Sequence, residues 1–161
     1  MRERTTVIRK VLPWTAGAVA VTAAVGSVAS SETSSIWYRG LDKPVIQPPA
    51  AVFPVVWTLL YSDIAVTSAV ALNRADAPDT RSYRSALAVN LLLNASWSWV
   101  FFKAHRIGLA IGVAAALAAS SGDLVRRTSR MDRRAGWALL PYAGWCGFAT
   151  VLTTAIWRRN R

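Results

Sequence analysis

The chain has 161 residues, of which 53% are hydrophobic and only 17% charged, with a formal net charge of +11. That is one domain's length, and it is too apolar for an ordinary soluble domain, so it points to the membrane class. The Arg and Lys residues sit in short clusters between apolar runs, as loop charges of a membrane protein do, so no nucleic-acid partner is expected. A single cysteine, Cys146, and a single histidine, His105, rule out an intrachain disulfide, a thiolate metal site and a histidine cluster, and neither metal nor cofactor is expected.

A membrane-crossing helix needs roughly 20 mostly apolar residues. Five segments meet this, at about 11–30, 50–72, 83–102, 107–125 and 135–157. They predict an all-α membrane protein, a single five-helix transmembrane bundle over 1–161. The first segment follows Arg2, Arg4, Arg9 and Lys10. Its basic start, alanine-rich core and Ser27-Val28-Ala29 also fit a cleavable signal peptide. The length of the apolar run and the membrane character of the rest favour a retained helix.

Between the first two segments lies a loop dense in rigid residues, WYRGLDKPVIQPP from Trp37. Pro44, Pro48 and Pro49 stiffen it and lead into the second helix, where a missing N–H costs little. On that helix Phe53, Trp57 and Tyr61 recur every four residues and share one face. Trp57 lies deeper than an interfacial belt position, so the ladder reads as facing inward. Asp63 lies on another face of the same helix, well inside the span. An intramembrane carboxyl is either functional or held by hydroxyls or amides of a neighbouring helix.

Asp76-Ala77-Pro78-Asp79 reads as a turn before the third helix. There Asn90, Asn94, Trp97 and Phe101 share a face. Amides are costly against lipid, so both should point inward, as interhelical glue or, for Asn94, as a ligand contact. His105 follows in a basic loop. The fourth helix carries Gly108, Gly112, Ala116 and Ser120 at four-residue spacing, a ridge of small residues that suits close helix approach within the bundle or between protomers. In the fifth, Pro141 predicts a kink. Tyr142, Trp145, Ala149 and Leu152 lie on one face, with Ala149 leaving room. More of the Lys and Arg residues fall on the side of the N-terminus, which predicts a cytoplasmic N-terminus and an outward-facing Trp37–Pro49 loop. No Ser–His–Asp arrangement, paired carboxylate or phosphate loop emerges. The aromatic and amide faces instead suit a pocket for a flat apolar ligand.

Four stretches carry a resemblance to a known family: WYRGLDKPVIQPP from Trp37, VFPVVWTLLY from Val52, LLLNASWSWVFF from Leu91 and LLPYAGWCGFATVLTTAIW from Leu139. In this order and spacing the chain resembles the translocator proteins, also called tryptophan-rich sensory proteins or peripheral benzodiazepine receptors, in their bacterial form. The resemblance implies a homodimer of five-helix protomers in the bacterial cell membrane. Each protomer would hold a porphyrin such as protoporphyrin IX beneath the first loop, in porphyrin homeostasis or stress regulation. The implied ligand residues are Tyr38, Pro48, Phe53, Trp57, Tyr61, Asn94, Phe101, Trp145, Ala149 and Leu152. The family also implies two alternatives: light- and oxygen-dependent porphyrin degradation with Trp57 and Trp145 as the catalytic pair, or transport of porphyrin or lipid-like ligands. Thr153 and Thr154 replace the asparagine usual in the family and the tyrosine of animal sterol binders, and Asp63 replaces a small or apolar residue.

Overall fold

The computed structural model describes the backbone of residues 2–161 and the side chains of residues 11–161. Helices α1 (Arg2–Ser30), α3 (Val52–Arg74), α4 (Ala77–Ser98), α5 (Ile107–Met131) and the pair α6 (Arg133–Ala138) and α7 (Leu140–Arg159) run up and down, with a short α2 (Ile36–Gly40) in the first loop. No strand occurs among the described residues. Five of these helical stretches are long and apolar enough to cross a membrane: Val11–Ser34, Val52–Arg74, Ala77–Lys103, Ile107–Met131 and Arg133–Arg159. In lipid a helix is one of the few structures that satisfies its own backbone polar groups, which is why the chain is built this way.

Several boundaries differ from the sequence expectation, three of them for a clear local reason. Helix α4 begins at Ala77, not near 83, because Asp76 is an N-cap: its carboxylate accepts the Asp79 N–H at 2.9 Å, and Pro78 sits in the first turn. The expected turn is thus the start of the helix. At the other end, α4 runs into a π-helical turn over Trp99–Lys103, where the Ala104 N–H donates to the Trp99 carbonyl at 2.9 Å. The wide turn lets two consecutive aromatics, Phe101 and Phe102, both be buried. The kink expected at Pro141 is a break: α6 ends at Ala138 and α7 starts at Leu140, with Pro141 in its first turn, where its missing N–H leaves no carbonyl short.

Helix α1 packs on α3 and α4, and α5 packs on α4 and α7. The larger core joins Ile64 of α3, Leu87 of α4, Leu117 and Leu124 of α5, and Tyr142 of α7. A smaller aromatic core at the end below the first loop joins Phe101, Phe102, Ala110, Leu152 and Ile156. Outward positions such as Val55, Leu59, Leu92 and Val151 are exposed, as expected when the solvent is hydrocarbon. At the opposite end Asp132 alone connects α5 and α6. Its buried carboxylate accepts the Ala135 N–H at 2.9 Å and pairs with Arg74 at 2.6 Å, so one side chain caps α6 and ties it to α3. Such a cap contributes about 1 kcal/mol.

Candidate functional site

The first loop folds as a lid. Ser35 caps α2, accepting the Tyr38 N–H at 3.2 Å. Lys43 closes its other end, donating to the carbonyls of Tyr38 at 2.7 Å and Leu41 at 3.3 Å and lying 4.7 Å over the Tyr38 ring. The Pro44 and Pro49 carbonyls accept the Gln47 and Val52 N–H groups at 2.9 Å each, which turns the proline segment into α3. Pro48 is half-buried in this segment. The lid is held from both sides. Trp37 stacks on His105 at 4.0 Å, and His105 adopts a left-handed φ of 55° to reach it. Asp42 is clasped by Asn160, which accepts the Asp42 N–H at 2.9 Å and donates to its carbonyl at 3.0 Å.

Beneath the lid, Tyr38 packs edge-on against Phe101 at 6.4 Å and against Phe102 at 5.5 Å, while Trp97 stacks on Phe101 at 5.3 Å. Phe53 and Leu152 belong to the same cluster. Gln47 donates to the Tyr38 hydroxyl at 3.4 Å. Burial pushes the Tyr38 phenol above its ordinary pKa, against this hydrogen bond, so it stays a neutral O–H donor. Two polar atoms here are buried without a hydrogen-bond partner among the described residues: the Gln47 Oε1 acceptor and the Trp97 Nε1 donor.

Deeper in, the Phe53–Trp57–Tyr61 ladder does face the bundle. Trp145 meets Phe53 at 6.0 Å edge-on and Phe148 at 5.3 Å, and Trp57 lies 5.3 Å from Tyr61. A chain of hydrogen bonds then crosses four helices. Tyr61 donates to Asn94 Oδ1 at 2.7 Å, and Asn94 Nδ2 donates to the Tyr142 hydroxyl at 3.3 Å. Tyr142 donates to Asn90 Oδ1 at 2.7 Å, and Asn90 Nδ2 donates to Ser121 Oγ at 3.1 Å. Each link points the same way. Asn94 is therefore occupied on both sides as interhelical glue, and a ligand contact would require it to release a partner.

Of the ten residues implied as ligand contacts, the structure gathers Tyr38, Phe53, Phe101 and Leu152 under the lid and places Trp57, Tyr61, Asn94 and Trp145 below them. Pro48 is in the lid, and Ala149 is half-buried on α7 one turn before buried Thr153. The aromatic rings contact one another. Two surface grooves, of about 380 Å³ along Thr150–Arg159 and about 460 Å³ between Ser82–Val89 and Ser120–Arg127, contain none of these ten residues. Sequence reasoning missed Gln47, and it left Trp97 and Tyr142 outside the site. Trp97 and Tyr142 shared helix faces with chosen residues, which was the available signal. Gln47 had none, because the lid's turn geometry decides where it points.

The fold and this inward aromatic and amide face define a multi-pass helical membrane protein with its polar groups turned into the bundle. The TspO/MBR family model matches residues 15–158, and the chain belongs to that family. Similar proteins include a "Tryptophan-rich protein TspO" of Archaeoglobus fulgidus, 31% identical over 139 residues, covering 84% of this chain and 87% of that protein. A "Tryptophan-rich sensory protein" of Cereibacter sphaeroides is 31% identical over 124 residues, 77% of each chain. The "Translocator protein" of Homo sapiens is 28% identical over 132 residues, covering 77% of this chain and 75% of that protein.

Proposed function

We propose that the protein binds a flat, apolar ligand of the porphyrin class between the lid and the Phe53–Trp57–Tyr61 ladder. The observation that carries this reading is the pair of buried, unpartnered polar atoms, Gln47 Oε1 in the lid, on the side chain that donates to Tyr38, and Trp97 Nε1 in the aromatic cluster beneath it. Buried polar groups nearly always have partners, and aromatic walls with a few unspent hydrogen-bonding groups suit a planar macrocycle with polar substituents. Because the rings now touch, entry requires Tyr38 and its lid to lift and Trp145 to turn from Phe53. Titration of the purified protein with protoporphyrin IX in the dark should quench tryptophan fluorescence saturably, and Trp145→Ala should weaken binding about tenfold or more, the scale of one lost aromatic contact. Equal quenching of the wild type and of a Trp57/Trp145 double alanine variant would reject the site. The same samples under light test degradation: a defined new pigment that depends on Trp57 and Trp145 would make the site catalytic.

Assembly as a homodimer is part of the same proposal. Its support is that Gly108, Gly112 and Ala116 of the small-residue ridge are exposed on the protomer, and a Cβ at Gly112 would meet no atom within 4 Å. Gly112→Cys in a Cys146→Ala background should crosslink to a dimer in membranes. A monomer-only result with a crosslinked dimer from another exposed face would place the interface elsewhere.

A further inference from the structure

Asp63 stands apart from every other carboxylate whose side chain is described. Asp132 pairs with Arg74, Asp123 with Arg126 and Arg127, Glu32 with Lys103, and Asp42 with Arg159. Asp76 caps α4, and Asp79 is exposed in the first turn of the same helix. Asp63 lies midway along α3, and its Oδ2 is buried with no hydrogen-bond partner among the described residues. Among the described residues, the hydroxyl or amide contact that would make it a structural residue is not formed.

The described polar side chains that bond around this part of α3 are uncharged. From α1, Thr15 spends its hydroxyl on the Ala65 carbonyl at 2.9 Å. On α3 itself, Thr67 donates to the Asp63 backbone carbonyl at 2.6 Å rather than to its carboxylate. Tyr83 faces from α4, and its hydroxyl is shared with Ser68 at 3.1 Å and with Thr128 of α5 at 3.0 Å. Among the described residues no Lys, Arg or His forms an ion pair with Asp63. An unpaired carboxylate in an apolar surrounding neutralises rather than remain charged. A divalent cation would need several oxygen ligands, and among the described residues no cluster of carboxylates is at hand. A proton needs only one lone pair.

We infer that Asp63 is a proton-binding site inside the membrane, which carries its proton at neutral pH and is open to modification by a lipid-soluble carbodiimide. In that reaction the carboxylic acid O–H adds across a C=N bond of the reagent, forming an O-acylisourea. Transfer of the acyl group to nitrogen then leaves a stable N-acylurea, so the whole reagent is added and nothing leaves. This inference is independent of the ligand pocket.

The test treats the purified protein in lipid nanodiscs with dicyclohexylcarbodiimide, followed by peptide mass spectrometry. One adduct is expected, on Asp63, diminishing as the pH is raised and absent in Asp63→Asn. In parallel, the infrared carbonyl stretch of a protonated carboxylic acid should be present in the wild type at neutral pH and lost in Asp63→Asn. If that variant does not fold, Asp63→Glu keeps the carboxyl and should keep both signals. Adducts confined to other carboxylates, or no protonated-acid band at neutral pH, would overturn the inference.

Discussion

Gly136→Ala is expected to give protein that unfolds at a markedly lower temperature in detergent, or that fails to accumulate in membranes. A Cβ at Gly136 would lie 1.9 Å from Ser129 Oγ, 2.7 Å from Ser129 Cα and 2.8 Å from Ser129 Cβ. The hydroxyl can rotate away, but the Cα cannot. Accepting the methyl means separating α6 from the end of α5, next to the Asp132 cap and its pair with Arg74. Overpacking of a buried contact costs about 1–3 kcal/mol, and more where backbone must shift. Gly144→Ala is the control, since a Cβ there meets nothing within 4 Å. Thermal unfolding followed by loss of the monodisperse peak should separate the two variants. Equal stability of both would mean that α5 and α6 do not pack as described.

Asn94→Ala should be the most damaging change within the candidate site, and its damage should be to stability before binding. The truncation strips Tyr61 of its acceptor and Tyr142 of its donor at once. A buried group left unsatisfied costs about 1–3 kcal/mol, although single interhelical hydrogen bonds in membranes average nearer ~0.6 kcal/mol. Two groups lose partners here and both phenols are enclosed, so a loss of about 2 kcal/mol is expected. Tyr61→Phe removes one end of the same series and should cost less, because Asn94 keeps its bond to Tyr142. A double-mutant cycle of Asn94 with Tyr142 should show coupling, and strictly additive losses would contradict the series of hydrogen bonds.

The sequence carried the bundle because hydrocarbon imposes a length and a composition that leave few alternatives. Five apolar runs could be counted, and the ladder Phe53–Trp57–Tyr61 followed from helical spacing. The inward direction of Asn90 and Asn94 followed from the cost of an amide in lipid. What could not be read was decided by local backbone geometry. The π-helical turn at Trp99–Lys103 changes which residues face inward, and nothing in WVFFK announces it. The side-chain partners of Asn94 depend on the rotation of α7 after its break at Pro141, so Tyr142 emerged as the centre of the series only with the structure. The capping by Asp76 was visible in Asp76-Ala77-Pro78-Asp79, but the same residues also spell a turn, and only the following apolar face separates the two. The lid is the hardest part, since its conformation rests on Lys43 reaching back to carbonyls and on residues from the far end of the chain.

That last dependence has a consequence for how the protein is made. The Asp42–Asn160 clasp joins residues 118 positions apart in sequence. A nascent chain that has threaded its first span through the translocation machinery therefore exposes an unfastened proline loop until its fifth span has followed. The lid is synthesised before α3, α4, α5 and α7 and is among the last segments to be secured. During biogenesis the aromatic cluster beneath it is open on the side that α7 will later close.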